Sequence, residues 1–205
     1  MRQILACPDN DGSKATVMSV LSGEYAVNYN FAPKVILDIG AHIGAFTEWA
    51  LWTYPGALIY AYEPTPDAAD FFYKNHSGNS RVGLYQYAIS DVDGELSLFL
   101  GHEGLHCNTL KSGNLNISSD HINVRVRPAS ILPQADLVKI DTEGAEPEIL
   151  RSLLRVQQPE MIQFEFHCEL DKHICNEMLL AYGYKLKKER IYRPDLGVMT
   201  YVRKA

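Results

Sequence analysis

Five runs of apolar residues recur along the chain with helical stretches between them: VILDIG (35–40), ALIYAYE (57–63), VGLYQYAIS (82–90), ADLVKID (135–141) and MIQFEFH (161–167). Each is nearly continuous rather than alternating. A strand apolar on both sides must be buried on both sides, which a parallel sheet between two helical layers provides. Residues 46–52, 66–76 and 145–155 have helical character, the last placing Ile149, Leu150, Leu153 and Leu154 on one face. This βαβαβ order predicts an α/β fold, a mostly parallel sheet with right-handed crossovers and flanking helices. Between the third and fourth runs, GELSLFL (94–100) and INVRV (122–126) alternate at period two, predicting a small, hairpin-like β insertion over 94–126. The closing stretch carries two strands around RPDLG (193–197), so an antiparallel pair should complete the sheet. Residues 13–29 suit one or two helices, and residues 1–32 are expected to form an N-terminal arm or lid on a single domain spanning 1–205.

Composition excludes several classes. With 46% hydrophobic and 21% charged residues, the 205-residue chain can bury a core without disulfides or metal. Its net charge of −6 argues against a nucleic-acid backbone as partner, and the one basic cluster, KLKKER (185–190), reads as the solvated face of a late strand. Cys7, Cys107, Cys168 and Cys175 show no CxxC pairing, as expected of reduced thiols. The start, MRQILACPDN, lacks a signal-peptide stretch and no run approaches a membrane span, so the expected location is the cytoplasm, with no membrane partner.

The first run ends in VILDIGAHIGAFT. Gly40 and Gly44 let the backbone turn sharply and bring helix amides close to a ligand, although the same glycines also serve plain helix-to-sheet packing. The spacing lacks the middle glycine of the dinucleotide fingerprint. Glu63 ends the second run, 23 residues after Gly40, where a carboxylate can accept hydrogen bonds from both hydroxyls of a ribose; the alternative is an exposed strand end. Asp38 either borders the ligand or pins the loop. A ligand served by a carboxylate for its ribose and by acidic residues around a cation points to S-adenosylmethionine rather than NAD.

The fourth and fifth runs end in acids as well. Asp141, Glu143 and Glu165, with His167, should share the crevice at the carboxyl ends of the strands. Glu165 between two phenylalanines would be costly to bury without a partner or role. Glu146 and Glu148 also suit a helix N-terminus, and His167 also suits an ordinary core position. Asp141, Glu165 and His167 include metal-ligand types, but the pattern assigns no metal. His102, His106 and the pair His173 and Glu177 lack closed zinc-ligand spacing and are expected in loops or on a helix face.

Together, VILDIGAHIGAFT, AYEPTPDAADFFYKN, YAISDVDGELSLFL, DLVKIDTEGAEPEILRSL and the Glu165/His167 strand end resemble the FkbM-type methyltransferases, a family of class I S-adenosylmethionine-dependent enzymes, over roughly residues 33–170. The resemblance implies a Rossmann-like sheet, S-adenosylmethionine as cofactor and transfer of a methyl group to a hydroxyl of a small molecule such as a sugar or secondary metabolite. It places the cofactor at Asp38, Gly40, Ala41, His42, Gly44, Thr47, Glu63, Pro64, Tyr87, Ala88, Ile89 and Asp141. An aliphatic hydroxyl must lose its proton, so the chemistry is expected at Asp141, Glu143, Glu165 and His167, with Asp141 or His167 as general base and Glu143 and Glu165 positioning the hydroxyl. Glu146 falls on the same acidic motif. His42 stands where the family usually has Asn, and residues 151–153 replace its leucine-glycine stretch. Little of the family is recognisable before Phe31. The competing readings are a non-catalytic adenosine-ligand module and a nicotinamide-dependent oxidoreductase.

Overall fold

The computed structural model describes residues 5–9, 11–101, 109–110 and 117–203. In chain order its elements are α1 (Asp11–Leu21), β1 (Val35–Ile39), α2 (Ala45–Thr53), β2 (Leu58–Tyr62), α3 (Pro66–His76), β3 (Val82–Tyr85), β4 (Ala88–Ser90), β5 (Gly94–Gly101), β6 (Ile117–Pro128), β7 (Leu137–Ile140), α4 (Glu146–Leu153), β8 (Met161–Phe166), α5 (Glu169–Ala181), β9 (Lys185–Arg193) and β10 (Leu196–Val202). Seven strands form one sheet in the order β3-β2-β1-β7-β8-β10-β9. Strands β3, β2, β1, β7 and β8 run parallel, and β10 pairs antiparallel with both β8 and β9. The chain winds outward from β1 to β3 and then returns to β7, so the order reverses between β1 and β7. Crevices open at the carboxyl ends of strands at such a reversal.

The runs that form β1, β7 and β8 are buried on both faces, as their continuity requires, whereas β3 at the sheet edge is only partly covered. Ile36, Leu137 and Met161 pack under Phe46, Trp49 and Ala50 of α2. Leu37, Ile39, Val138, Ile140 and Phe164 pack under Ile149, Leu150 and Leu153 of α4 and Leu179 of α5. Burying each such side chain contributes roughly 1.5–3 kcal/mol.

Two expectations need correction. VGLYQYAIS is not one strand: Tyr87 N bonds back to Tyr85 O at 3.0 Å, which turns the chain out of the main sheet after β3. Residues Ala88–Ser90 become β4 of a second sheet, ordered β4-β6-β5. The insertion is therefore three-stranded rather than a hairpin, and β6 runs on to Pro128 because its end pairs parallel with β4. Helix α5, which carries His173 and Glu177 on its exposed side, was not assigned from the sequence. His102, His106 and Cys107 lie outside the described residues; Cys7, Cys168 and Cys175 are free thiols. Among the described residues no helix is long and apolar enough to cross a membrane.

A polar row crosses the sheet face beneath α2. Asp38, Lys139, Gln163, Thr200 and Lys188 are successive register partners on β1, β7, β8, β10 and β9. Its far half holds the segment after α1: Gln163 Nε2 donates to Tyr25 O at 2.8 Å and to Thr200 Oγ1 at 3.1 Å, while Lys188 Nζ donates to Glu24 O at 3.0 Å and Ala26 O at 2.5 Å. Lys188 thus turns inward from KLKKER, while its neighbours on β9 stay exposed.

At the head of this face, Gly40 leaves β1 with φ +76°, and a Cβ there would lie 1.8 Å from the carbonyl oxygen of Asp141. Gly56 has nothing within 4 Å of an added Cβ. Gly40→Ala should therefore destabilise the protein by at least about 3 kcal/mol in urea unfolding, and Gly56→Ala should stay within about 0.5 kcal/mol of the parent.

Candidate active site

The turn after β1 is folded against the end of β2. The amides of Gly40 and Ala41 both donate to Tyr62 O at 3.0 Å. His42 sits at φ +51°, in the left-handed region where Asn, Asp and His are the common non-glycine residues. The exchange of Asn for His at this position therefore preserves the backbone. Gly44, at φ +90°, leaves room for His76, whose Nε2 would lie 2.3 Å from an added Cβ and donates to Gly44 O at 3.0 Å. Burial lowers the His76 pKa, consistent with a neutral ring.

Glu63 follows β2 and faces this turn. Its Oε2 accepts from His42 N at 2.9 Å and its Oε1 from Thr65 N at 2.8 Å. Burial raises its pKa, opposed by those amide bonds. The Thr65 hydroxyl bonds the carboxylate as well, and the lone pairs beyond these three bonds can accept from another donor.

Lys139 sits beneath the turn, in the middle of a strand, with only 3% of its surface exposed, and the sequence reading passed over it. Its Nζ donates to Gly40 O at 2.6 Å and lies 3.2 Å from Asp38 Oδ1 and 3.5 Å from Asp141 Oδ2. Burial pulls its pKa down, but Asp38 and then Asp141 outweigh that, leaving it raised. Asp38 is fully buried and its Oδ2 accepts from Thr47 Oγ1 at 2.7 Å. A lysine within an apolar strand demands such partners, so LVKI carried a usable signal.

The loop after β7 is drawn back by Glu146. Its Oε1 accepts from Thr142 N at 2.8 Å, Thr142 Oγ1 at 2.9 Å and Gly144 N at 3.2 Å. Glu143 is thereby held at φ +57°, and Thr109 Oγ1 donates to its carbonyl at 2.7 Å from the direction of the small sheet. Strained non-glycine backbone of this kind clusters at functional sites. Beyond the end of β8, His167 Nε2 lies 3.2 Å from Glu143 Oε2 and 3.7 Å from Glu165 Oε1. Burial raises the Glu143 pKa to about 7, against the pull of His167. Burial pushes Glu165 well up, helped by Asp141. Burial alone would lower His167, but Glu143 and then Glu146 outweigh it and its pKa ends raised. Asp141, Glu165 and His167 each bring a potential metal-ligand atom within 4.8 Å of the others, and the Lys139 ammonium already stands beside Asp141.

These groups share a cavity of about 480 Å³. Gly40, Ala41, His42, Glu63, Pro64, Ala88 and Ile89 line it, together with Asp141, Glu143, Glu165 and His167. Asp38, Gly44 and Thr47 lie behind the turn, and Tyr87 packs among Tyr62 and Tyr85; none of these four lines the cavity. The structure adds Tyr25, Tyr62, Lys139 and, from the β9–β10 turn, Arg193 and Asp195. Tyr25 carried no sequence signal, because nothing in the local pattern relates it to residues more than a hundred positions away.

The family model of the methyltransferase FkbM domain matches residues 38–186. A "Methyltransferase 1" from Beauveria bassiana is 29% identical over 154 residues, covering 61% of this chain and 62% of that protein. The hexuronic acid methyltransferase AglP from Haloferax volcanii is 25% identical, covering 71% and 61%. The 2-O-methyltransferase NoeI from Sinorhizobium fredii is 28% identical, covering 57% and 56%. The chain thus spans less than two thirds of each relative's own length. Among solved structures, the precorrin-6y C5,15-methyltransferase from Geobacter metallireducens aligns with a TM-score of 0.57 at 16% identity, covering 97% of this chain and 94% of that one. An O-methyltransferase family 2 protein from Planctomyces limnophilus aligns at 0.53 and 8% identity, covering 92% and 57%. At such identities these likenesses establish the class I methyltransferase fold.

Removing one partner of a buried ion pair leaves the other charge uncompensated. Lys139→Met should cost roughly 3–5 kcal/mol in chemical unfolding, and adding Asp38→Asn should recover most of that loss. A double variant as unstable as the sum of the two single changes would contradict the pairing.

Proposed function

The chain belongs to the FkbM methyltransferase family, and from that premise we propose that it is an S-adenosylmethionine-dependent O-methyltransferase acting on a hydroxyl of a small molecule such as a sugar. The observation that carries this reading is the Glu143–His167 pair, a proton acceptor held near neutrality, lining the same cavity as the glycine turn and Glu63. The names of AglP and NoeI, a hexuronic acid and a 2-O-methyltransferase, agree with a sugar hydroxyl as acceptor.

The residues present fit the donor. Gly40 lines the cavity and has no side chain to keep a ligand from its backbone. Glu63 retains lone pairs for a ribose diol, Ala88 and Ile89 offer an apolar wall to a flat base, and the acids suit a cation. NAD, with two phosphates, would meet these carboxylates, and among the described residues the cavity's cations Lys139 and Arg193 are already paired with carboxylates. When bound, the donor supplies a methyl group already activated on a positively charged sulfur. The protein's tasks are then alignment and removal of the hydroxyl proton.

We assign the proton to Glu143 Oε2, with His167 Nε2 beside it to stabilise the ionised carboxylate. Asp141, expected from sequence as a possible base, has one oxygen committed to Lys139 and serves as a fixed anion instead. Glu165, with its raised pKa, acts as a hydrogen-bonding group toward the acceptor.

Two outcomes test this. Glu63→Ala should weaken S-adenosylmethionine binding at least about tenfold by calorimetry, through loss of charge-assisted hydrogen bonds; unchanged affinity would remove the ribose assignment. Below a pH of about 7, Glu143 keeps its proton and cannot take another. Release of S-adenosylhomocysteine with a panel of hydroxylated acceptors should therefore fall as pH is lowered through that value. Glu143→Gln should abolish this acid limb and lower the rate roughly 10²–10⁴-fold; an unchanged limb would refute the assignment.

A further inference from the structure

Residues 11–30 lie outside the matched family domain, yet Thr16, Val20 and Tyr25 line its cavity, and of these Tyr25 reaches an acid of the site. Tyr25 is 1% exposed, packs edge-on against Phe46 of α2 at 5.0 Å, and lines the cavity. Its hydroxyl lies 3.5 Å from Asp141 Oδ2. This is the same oxygen that faces Lys139 Nζ at 3.5 Å. Asp141 Oδ2 thus stands between an ammonium from its own strand and a phenol from the N-terminal arm.

The phenol has little freedom to leave. Its own carbonyl accepts from Gln163, and the carbonyls on either side accept from Lys188. Glu24 is further bound by the hydroxyl of Tyr192 at the end of β9. The arm is therefore fastened to two strands of the main sheet, β8 and β9, on either side of Tyr25.

We propose that Tyr25 is a positioning residue for the donor site: its hydroxyl, with Lys139, fixes the Asp141 carboxylate so that the other oxygen is presented to the positively charged end of S-adenosylmethionine. This rests on the donor reading above and extends it to a segment outside the matched domain. Two donors on one oxygen restrict the carboxylate's rotation, and apo hydrogen bonds at such sites are often long and tighten on binding. A fixed anion favours a sulfonium ligand over its uncharged product, because only the former gains Coulomb energy from it.

The test is a double-mutant cycle read by calorimetry on the full-length protein, with S-adenosylmethionine and S-adenosylhomocysteine as probes. Tyr25→Phe keeps the ring on Phe46 and removes only the hydroxyl. It should weaken S-adenosylmethionine binding about three- to tenfold, weaken S-adenosylhomocysteine binding less, and have no further effect in an Asp141→Asn background. Multiplicative losses, equal losses for both ligands or unchanged affinity would each overturn the role, since a purely structural contribution is blind to ligand charge and to residue 141. If the parent protein binds neither ligand, the donor reading itself fails, and this inference falls with it.

Discussion

A single buried ammonium organises the working end of this molecule. Lys139 emerges from the middle of a parallel strand into a place where burial pulls its pKa down, and Asp38 and Asp141, which flank it, outweigh that pull. Its shortest contact is with the carbonyl of Gly40, so the same group that neutralises two carboxylates also fastens the turn that opens the cavity. The turn, the neighbouring strand end and the acid beyond it are consequently one electrostatic unit rather than three adjacent features. Any change of charge at one of them is felt by the other two.

Around that unit the fold gathers support from distant segments. The sheet carries a row of polar side chains that begins at Asp38 and ends at Lys188, and its far half grips the chain on either side of Tyr25. On the other side, Thr109 bonds the carbonyl of Glu143. The insertion and the arm, which look like embellishments of the α/β core, are thus the parts that border the cavity. The cavity and the arm beside it have a thermodynamic cost: Glu63, Glu143 and Glu165 in the cavity and Glu24 in the arm all have raised pKa values, with burial the leading cause. A carboxyl raised in the folded state is stabilising only while protonated, so stability is lost as pH climbs from the ordinary carboxylate range through the folded value, about 7 for Glu143. A cationic ligand offsets that loss by restoring partners to the ionised groups.

The parallel core was legible because continuous apolar runs admit few arrangements, and Gly40 and Glu63 were legible because a strand end that interrupts such a run needs a reason. What escaped was non-local. VGLYQYAIS reads as one strand until a backbone bond between Tyr85 and Tyr87 redirects it. Lys139 was visible in LVKI, but its importance follows from three oxygens on β1, the glycine turn and its own strand end. Asp38 and Thr47 read as ligand contacts because they sit in the right motif, whereas their side chains face each other behind the turn. Tyr25 belongs to a segment whose local pattern says only helix and loop.

The central claim is that the cavity at the carboxyl ends of β1, β2, β7 and β8 takes an adenosine ligand bearing a sulfonium. Calorimetric titration of the unaltered protein with S-adenosylmethionine, S-adenosylhomocysteine and NAD addresses it most directly. The account predicts one-site binding of the first two and no response to NAD. Saturable NAD binding with no response to S-adenosylmethionine would contradict it.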